Sequence, residues 1–134
     1  MESIMAPPEG VEIKENKTSI YWFDEDGILC SVYKKVPPIS IEESKQILDE
    51  FRQVTQGRKF CMLLDITFSS PGDKASREFA AVEFPKIVTA MAMLSASPMG
   101  RMLANLFFAL KPTPYPAKIF STEKEAKEWL KQYL

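Results

Sequence analysis

At 134 residues the chain is long enough for one domain, which at this size buries about two-thirds of its unfolded surface. Lys and Arg number 17 against 18 Asp and Glu, a net charge of -1, which argues against non-specific nucleic-acid binding. There is no histidine, so histidine acid–base catalysis, Ser-His and Cys-His dyads and His-ligated metal sites are excluded.

Residues 1–10, with Pro7-Pro8 and Gly10, read as a flexible tail, and residues 11–134 as a single domain. Val11–Glu15 suits a short edge strand. Thr18–Phe23 and Ile28–Lys35 alternate and are rich in aromatic and β-branched residues, and Asp24-Glu25-Asp26-Gly27 between them suits a hairpin turn with positive φ. Tyr21, Trp22 and Phe23 read as core and rim rather than a nucleobase platform. Pro37-Pro38 stops the second strand. Ser40 with Glu43 forms a capping box, Ile47, Leu48, Phe51 and Val54 mark a helical stripe, and Gly57 supplies a left-handed stop. Phe60–Ile66 is nearly all apolar, as in a strand covered on both faces, with Asp65 near its end.

After a loop over Thr67–Gly72, a helix from about Asp73 is expected to bury Phe79 and Val82, with Ala75 a further candidate. Pro85 should end or kink it, because proline has no N–H to donate. Val88–Ser95 reads as a buried strand with Met91 and Met93 on one face and Ala90, Ala92 and Leu94 on the other. Ser97 is an N-cap with Pro98 at the first helical position. In the helix that follows, Met99, Met102, Leu103, Leu106, Phe107 and Leu110 share a face that Ala104 and Phe108 widen. Arg101 and Asn105 lie one turn apart. Ala117–Ser121 is the last strand. Thr122 with Glu125 forms a second capping box, and Ala126, Trp129, Leu130, Tyr133 and Leu134 give the closing helix its apolar side. The order is hairpin, helix, strand, helix, strand, helix, strand, helix, which requires a mixed sheet with the hairpin at one side.

Cys30 and Cys61 read as buried free thiols of a reducing compartment. Met1–Gly10 lacks the apolar core of a signal peptide, and the longest uncharged run, Ile87–Gly100, is shorter than the roughly 18 residues of a membrane span. A cytoplasmic protein without metal or cofactor is the expectation.

Asp26-Gly27-Ile28-Leu29, Leu64-Asp65-Ile66, Ser76-Arg77-Glu78-Phe79, Ser97-Pro98 with Arg101 and Asn105, Pro114-Tyr115-Pro116, Phe120, and Ala126 with Trp129-Leu130 follow one another in an order and spacing that resembles the STAS domain and its SpoIIAA-like relatives. The nearest likeness is to small bacterial STAS/SEC14-type proteins. The resemblance spans about residues 11–134. It implies an α/β fold with a mixed sheet, an N-terminal β-hairpin, and then alternating helices and mainly parallel strands. It also implies a non-enzymatic regulatory or protein-interaction role. Anti-sigma-factor antagonists of this fold carry an Asp-Ser-Ser-Gly type phosphoacceptor in the loop after the central strand. Here the matching region reads Asp73-Lys74-Ala75-Ser76, without the serine pair or the glycine, so Ser76, with Ser69 and Ser70 earlier in the loop, are the remaining candidate phosphoacceptors.

Ligands of open α/β sheets bind where strands end and helices begin, which here means Asp65 and Thr67, Ser95 and Ser97, and Ser121. A small anionic or amphiphilic ligand is expected near Ser95, Ser97, Arg101 and Asn105, since a helix start presents free N–H groups. The plainer alternative makes Ser97 a cap and pairs Arg101 with an acid such as Glu83. Asp65 with Lys59 or Lys74 is the nearest approach to an acid–base pair, and no catalytic group is assembled. The helix over 99–110 is apolar over more than half its circumference, and Met99, Met102, Leu103, Leu106, Phe107 and Phe108 are its candidate interface residues. A homodimer contact leads the readings of that surplus, ahead of core burial and of a lipid-like pocket on the same helix.

Overall fold

The structure, a computed structural model, describes residues 3–69, 73–110 and 112–134, and at 107 the backbone alone. β1 (Lys14–Glu15), β2 (Ser19–Phe23) and β3 (Leu29–Tyr33) form an antiparallel meander. α1 (Ile41–Val54), β4 (Phe60–Asp65), α2 (Lys74–Ile87), β5 (Val88–Leu94), α3 (Pro98–Leu110), β6 (Ala117–Phe120) and α4 (Glu123–Leu130) then alternate. The six strands pair in chain order, and β3, β4, β5 and β6 run parallel. The mixed sheet with its hairpin at one side is the expected architecture.

The β2–β3 turn is built by Asp24, whose carboxylate accepts from the N–H groups of Asp26 and Ile28, both at 2.9 Å, while Gly27 takes φ +80°. The alternation of each strand divides the core in two. Tyr21, Leu29, Met62, Leu64 and Met91 face α1 and α2, with Met93 packed alongside. Trp22, Cys30, Cys61, Leu63, Ala90, Ala92 and Leu94 face α4 and the chain's N-terminal segment. The predicted split of β5 into a methionine side and a small-residue side is therefore observed. Alanines at 90 and 92 meet a helix that itself presents Ala126, so α4 lies close against β5. Both thiols are buried and free, and burial pushes that of Cys30 up to about 12, with Asp24 adding to the rise.

Several expectations change in detail. The segment read as a loose tail is anchored from Ile4: Met5 is buried, and Ile4 and Val11 pack on the same cluster. α2 runs through Pro85 to Ile87 rather than ending there. Its inner stripe is Ser76, Phe79, Ala80, Glu83, Phe84 and Ile87, the i, i+3, i+4 series, so Val82 is 60 % exposed and Ala75 faces solvent. Glu83 holds an inner position because Arg52 of α1 and Lys86 reach it at 3.3 and 3.2 Å. The Ser40–Glu43 capping box is complete. In α4, Thr122 accepts from the Glu125 N–H but the Glu125 carboxylate takes the Thr122 hydroxyl rather than its backbone N–H, so the second box is half-formed. Past Leu130 the chain tightens into a 3₁₀ turn over Lys131–Tyr133, which leaves Leu134 exposed.

The stop of α1 is shared. The Gly57 N–H reaches the Arg52 carbonyl at 2.9 Å and the Gln56 N–H reaches that of Gln53 at 3.2 Å, the two bonds of a Schellman motif. Gln56, not Gly57, occupies the first left-handed position, at φ +56°. A side chain there crowds its own carbonyl. Gln56→Gly should therefore raise stability by about 0.5–1 kcal/mol, after the entropy glycine adds to the unfolded chain. A thermal midpoint that fails to rise would show that the Gln56 side chain offsets its own strain.

Candidate functional site

The β5–α3 junction brings together three of the four residues expected there. Ser97 caps α3, its hydroxyl accepting from the Gly100 N–H at 3.0 Å, and its own N–H donates to the Ser95 hydroxyl at 3.1 Å. Arg101 donates to the Ser95 carbonyl at 2.6 Å. Gly100 permits this closeness, since a Cβ on it would lie 3.3 Å from the Ser97 side chain. The polar groups satisfy one another, Asn105 stands exposed apart from them, and Glu83 serves Arg52 and Lys86 rather than Arg101.

Asp65 closes β4 as a buried carboxylate. One oxygen accepts from the N–H groups of Ile4 and Met5 at 2.7 and 3.1 Å, and the other accepts from the N–H and hydroxyl of Thr67 at 3.1 and 2.7 Å. Lys74 instead pairs with Glu78. Asp65 thus serves as an anchor for the N-terminal segment, and Ile4 and Met5 lie too far away in sequence to have been read as its partners. Among the described residues no cluster of His, Cys, Asp or Glu is arranged to hold a metal.

Of the candidate phosphoacceptors, Ser70 lies outside the described residues. Ser69 is exposed, and Ser76 is half-buried in the first turn of α2, where the Asp73 carboxylate caps it by accepting from its N–H at 2.8 Å. That contact, made with the Ser76 backbone and side chain, holds the Asp73 carboxyl below its ordinary value. Both serines border a cavity of about 230 Å³ between α1, α2 and the sheet. Nothing in the periodicity of the sequence signalled this cavity.

α3 turns its inner side inward through Gly100, Arg101, Ala104 and Phe108, all half-buried. Phe108, expected at an interface, therefore faces the domain, and the Phe107 side chain lies outside the described part. The outer side carries Met99, Met102, Leu103, Leu106 and Leu110, between 55 and 77 % exposed. Ile47, Phe79 and Phe84 line the α1–α2 cavity, so that apolar space lies away from α3. No helix among the described residues is long and apolar enough to cross a membrane.

The same architecture occurs in an uncharacterised protein of the DUF3478 family from Shewanella loihica PV-4, which has a SpoIIAA-like fold. The two chains are 16% identical, align over 94% of this chain and 98% of the other, and superpose with a TM-score of 0.57. A protein of unknown function from Arthrobacter sp. FB24 is 26% identical, covering 83% of this chain and 97% of its own, with a TM-score of 0.30. No curated protein matches the chain. The antiparallel meander followed by parallel strands alternating with helices, together with the superposition on the Shewanella protein, gives this chain a SpoIIAA-like α/β fold. The chain belongs to the DUF7793 family, a domain of unknown function whose model matches residues 21–134.

Proposed function

We propose that this is a non-enzymatic interaction domain that pairs with a second copy of itself through the outer side of α3. The observation that carries the reading is the stripe of Met99, Met102, Leu103, Leu106 and Leu110, each more than half exposed on one helix. Five large apolar side chains in a row form a patch on the order of a few hundred Å², the size that marks interaction sites. The charge pattern favours a second copy. Arg101 is the sole charged residue between Pro98 and Leu110, and its guanidinium is turned inward to Ser95. An uncharged patch meets itself about a two-fold axis without repulsion. It offers nothing to an oppositely charged partner, and between Pro98 and Leu110 it has none of the outward Lys or Arg that a membrane-surface helix carries, since Arg101 is turned inward.

Sedimentation equilibrium between about 1 and 500 μM should show a monomer–dimer equilibrium. Leu103→Glu with Leu106→Glu would set like charges against each other across the axis. The double variant should weaken the dimer at least tenfold, roughly 1.4 kcal/mol, with an unchanged circular dichroism spectrum because both sites are exposed. A single-chain mass at every concentration, or a dimer indifferent to the two glutamates, would refute the proposal.

A further inference from the structure

The cavity between α1 and α2 is a separate feature. α2 meets the domain through Phe79, Ala80, Phe84 and Ile87, and of its residues Ile87 alone is fully buried. Space is left between the helix, Leu48 of α1, and Met62 and Leu64 of the sheet. Five aromatic rings border this space, those of Tyr33, Phe51, Phe68, Phe79 and Phe84. Phe68 is held by Lys35, whose ammonium lies 4.5 Å from the ring centroid.

Charge is almost absent from the wall. Lys34 is the one ionisable cation or acid among the described lining residues, and its ammonium is engaged by Glu15 at 3.0 Å and the Asn16 carbonyl at 2.8 Å. The space opens to solvent past Pro37 and Pro38, but on its inner, sheet side an ionised group would lose hydration without gaining a partner. Two hydroxyls are placed differently. Ser31, buried on the sheet, and Tyr33, two residues along on the same face, both line the space, and neither side chain has a hydrogen-bond partner among the described residues. Burial raises the Tyr33 phenol above its ordinary value, which keeps it a neutral donor.

Size narrows the occupant further. A dry cavity of about 150 Å³ takes benzene. On that scale about 230 Å³ holds roughly nine or ten non-hydrogen atoms, one ring with a small substituent or a fused pair. Aromatic walls favour an aromatic body, since ring pairs gain edge and offset contacts beyond their area. We infer that the α1–α2 cavity is a binding site for a neutral, compact aromatic molecule carrying one hydroxyl or ring N–H, which Tyr33 and Ser31 would engage.

Calorimetric titration of the full chain with p-cresol, toluene and benzoate tests the site. p-Cresol should bind saturably with a Kd below about 1 mM, toluene about tenfold more weakly, and benzoate not at all. Tyr33→Phe should weaken p-cresol three- to tenfold, the scale of one hydrogen bond, and leave toluene unchanged. Ala80→Leu, which fills the space from a half-buried helix position, should abolish both with the fold intact by circular dichroism. No saturable p-cresol binding by the folded chain would overturn the site, leaving a water-filled gap. So would an affinity indifferent to both substitutions. Benzoate binding more tightly than p-cresol would overturn its neutral character. The Leu103→Glu, Leu106→Glu double variant should bind p-cresol as the parent does, so this site and the α3 contact stand or fall separately.

Discussion

Alanine in place of Asp65 should lower the free energy of unfolding by about 3–5 kcal/mol, the cost of breaking a buried, charge-assisted hydrogen-bond cluster. The carboxylate is 1 % exposed and accepts four hydrogen bonds, two from the backbone of Ile4 and Met5 and two from Thr67. Removing it strands the Met5 N–H in a buried position, where an unsatisfied donor is costly. Asp65→Asn discriminates between shape and charge. Its amide can still accept on one side but must turn an NH₂ toward donors on the other, so a loss of about 2–3 kcal/mol is expected even though the volume is kept. Urea unfolding provides the measurement, and hydrogen exchange at Ile4 and Met5 locates the effect. Both amides should lose their protection in either variant while amides of β4 and β5 keep their relative order. A loss below about 1 kcal/mol for Asp65→Ala would mean that the N-terminal segment is held by Met5 burial alone.

That anchor shows where sequence reading reaches and where it stops. Local chemistry was legible. Asp24 through Gly27 specified its turn, Ser40 with Glu43 specified a cap, and alternation in β5 separated Met91 and Met93 from Ala90, Ala92 and Leu94. Each signal sits within a few residues of the structure it produces. Asp65 was visible at a strand end with Thr67 two residues on, but its other two donors, Ile4 and Met5, lie about sixty residues upstream, and no spacing rule joins them. Val82 misled because Glu83 occupies the inner stripe of α2, and a charged residue there is intelligible only once Arg52 is seen across from it. For α3 the periodicity grouped Met99, Met102, Leu103, Leu106 and Leu110, which do share the outer side, but it also assigned Ala104 and Phe108 to that face, whereas these lie with Gly100 on the side that approaches the sheet. Close approach by small side chains leaves the larger apolar ones outside. A hydrophobic stripe therefore identifies a face that needs covering without saying whether the same chain covers it. The cavity was the least legible feature. It arises from how far α2 stands from the sheet, a distance that no residue encodes alone.

The closing helix supplies the second large effect. At eight residues α4 is too short to hold itself helical in water, where fewer than about 12–15 residues are marginal. Its half-formed cap adds little. What fixes it is burial of Ala126 and Leu130, both 0 % exposed, against Ala90, Ala92 and Leu63. Trp129 packs beside them between Phe120 and Tyr133, with ring centroids 5.6 and 5.1 Å apart. Leu130→Ala should cost about 3 kcal/mol, within the 2–5 kcal/mol of buried leucine truncations, because alanines on the facing strand cannot reach in to fill the gap. The expected fall in thermal midpoint is roughly 10 °C. Leu134→Ala, four residues on and 59 % exposed, should stay within about 0.5 kcal/mol of the parent. If the two substitutions cost the same, α4 would be an appendage rather than the lid of this half of the core. Because α4 and its partners pack on the sheet face opposite to α1 and α2, Leu130→Ala should lower stability without altering p-cresol affinity at a temperature where the variant is folded. The sheet would then be shown to separate a face that supplies stability from one that has space for a ligand.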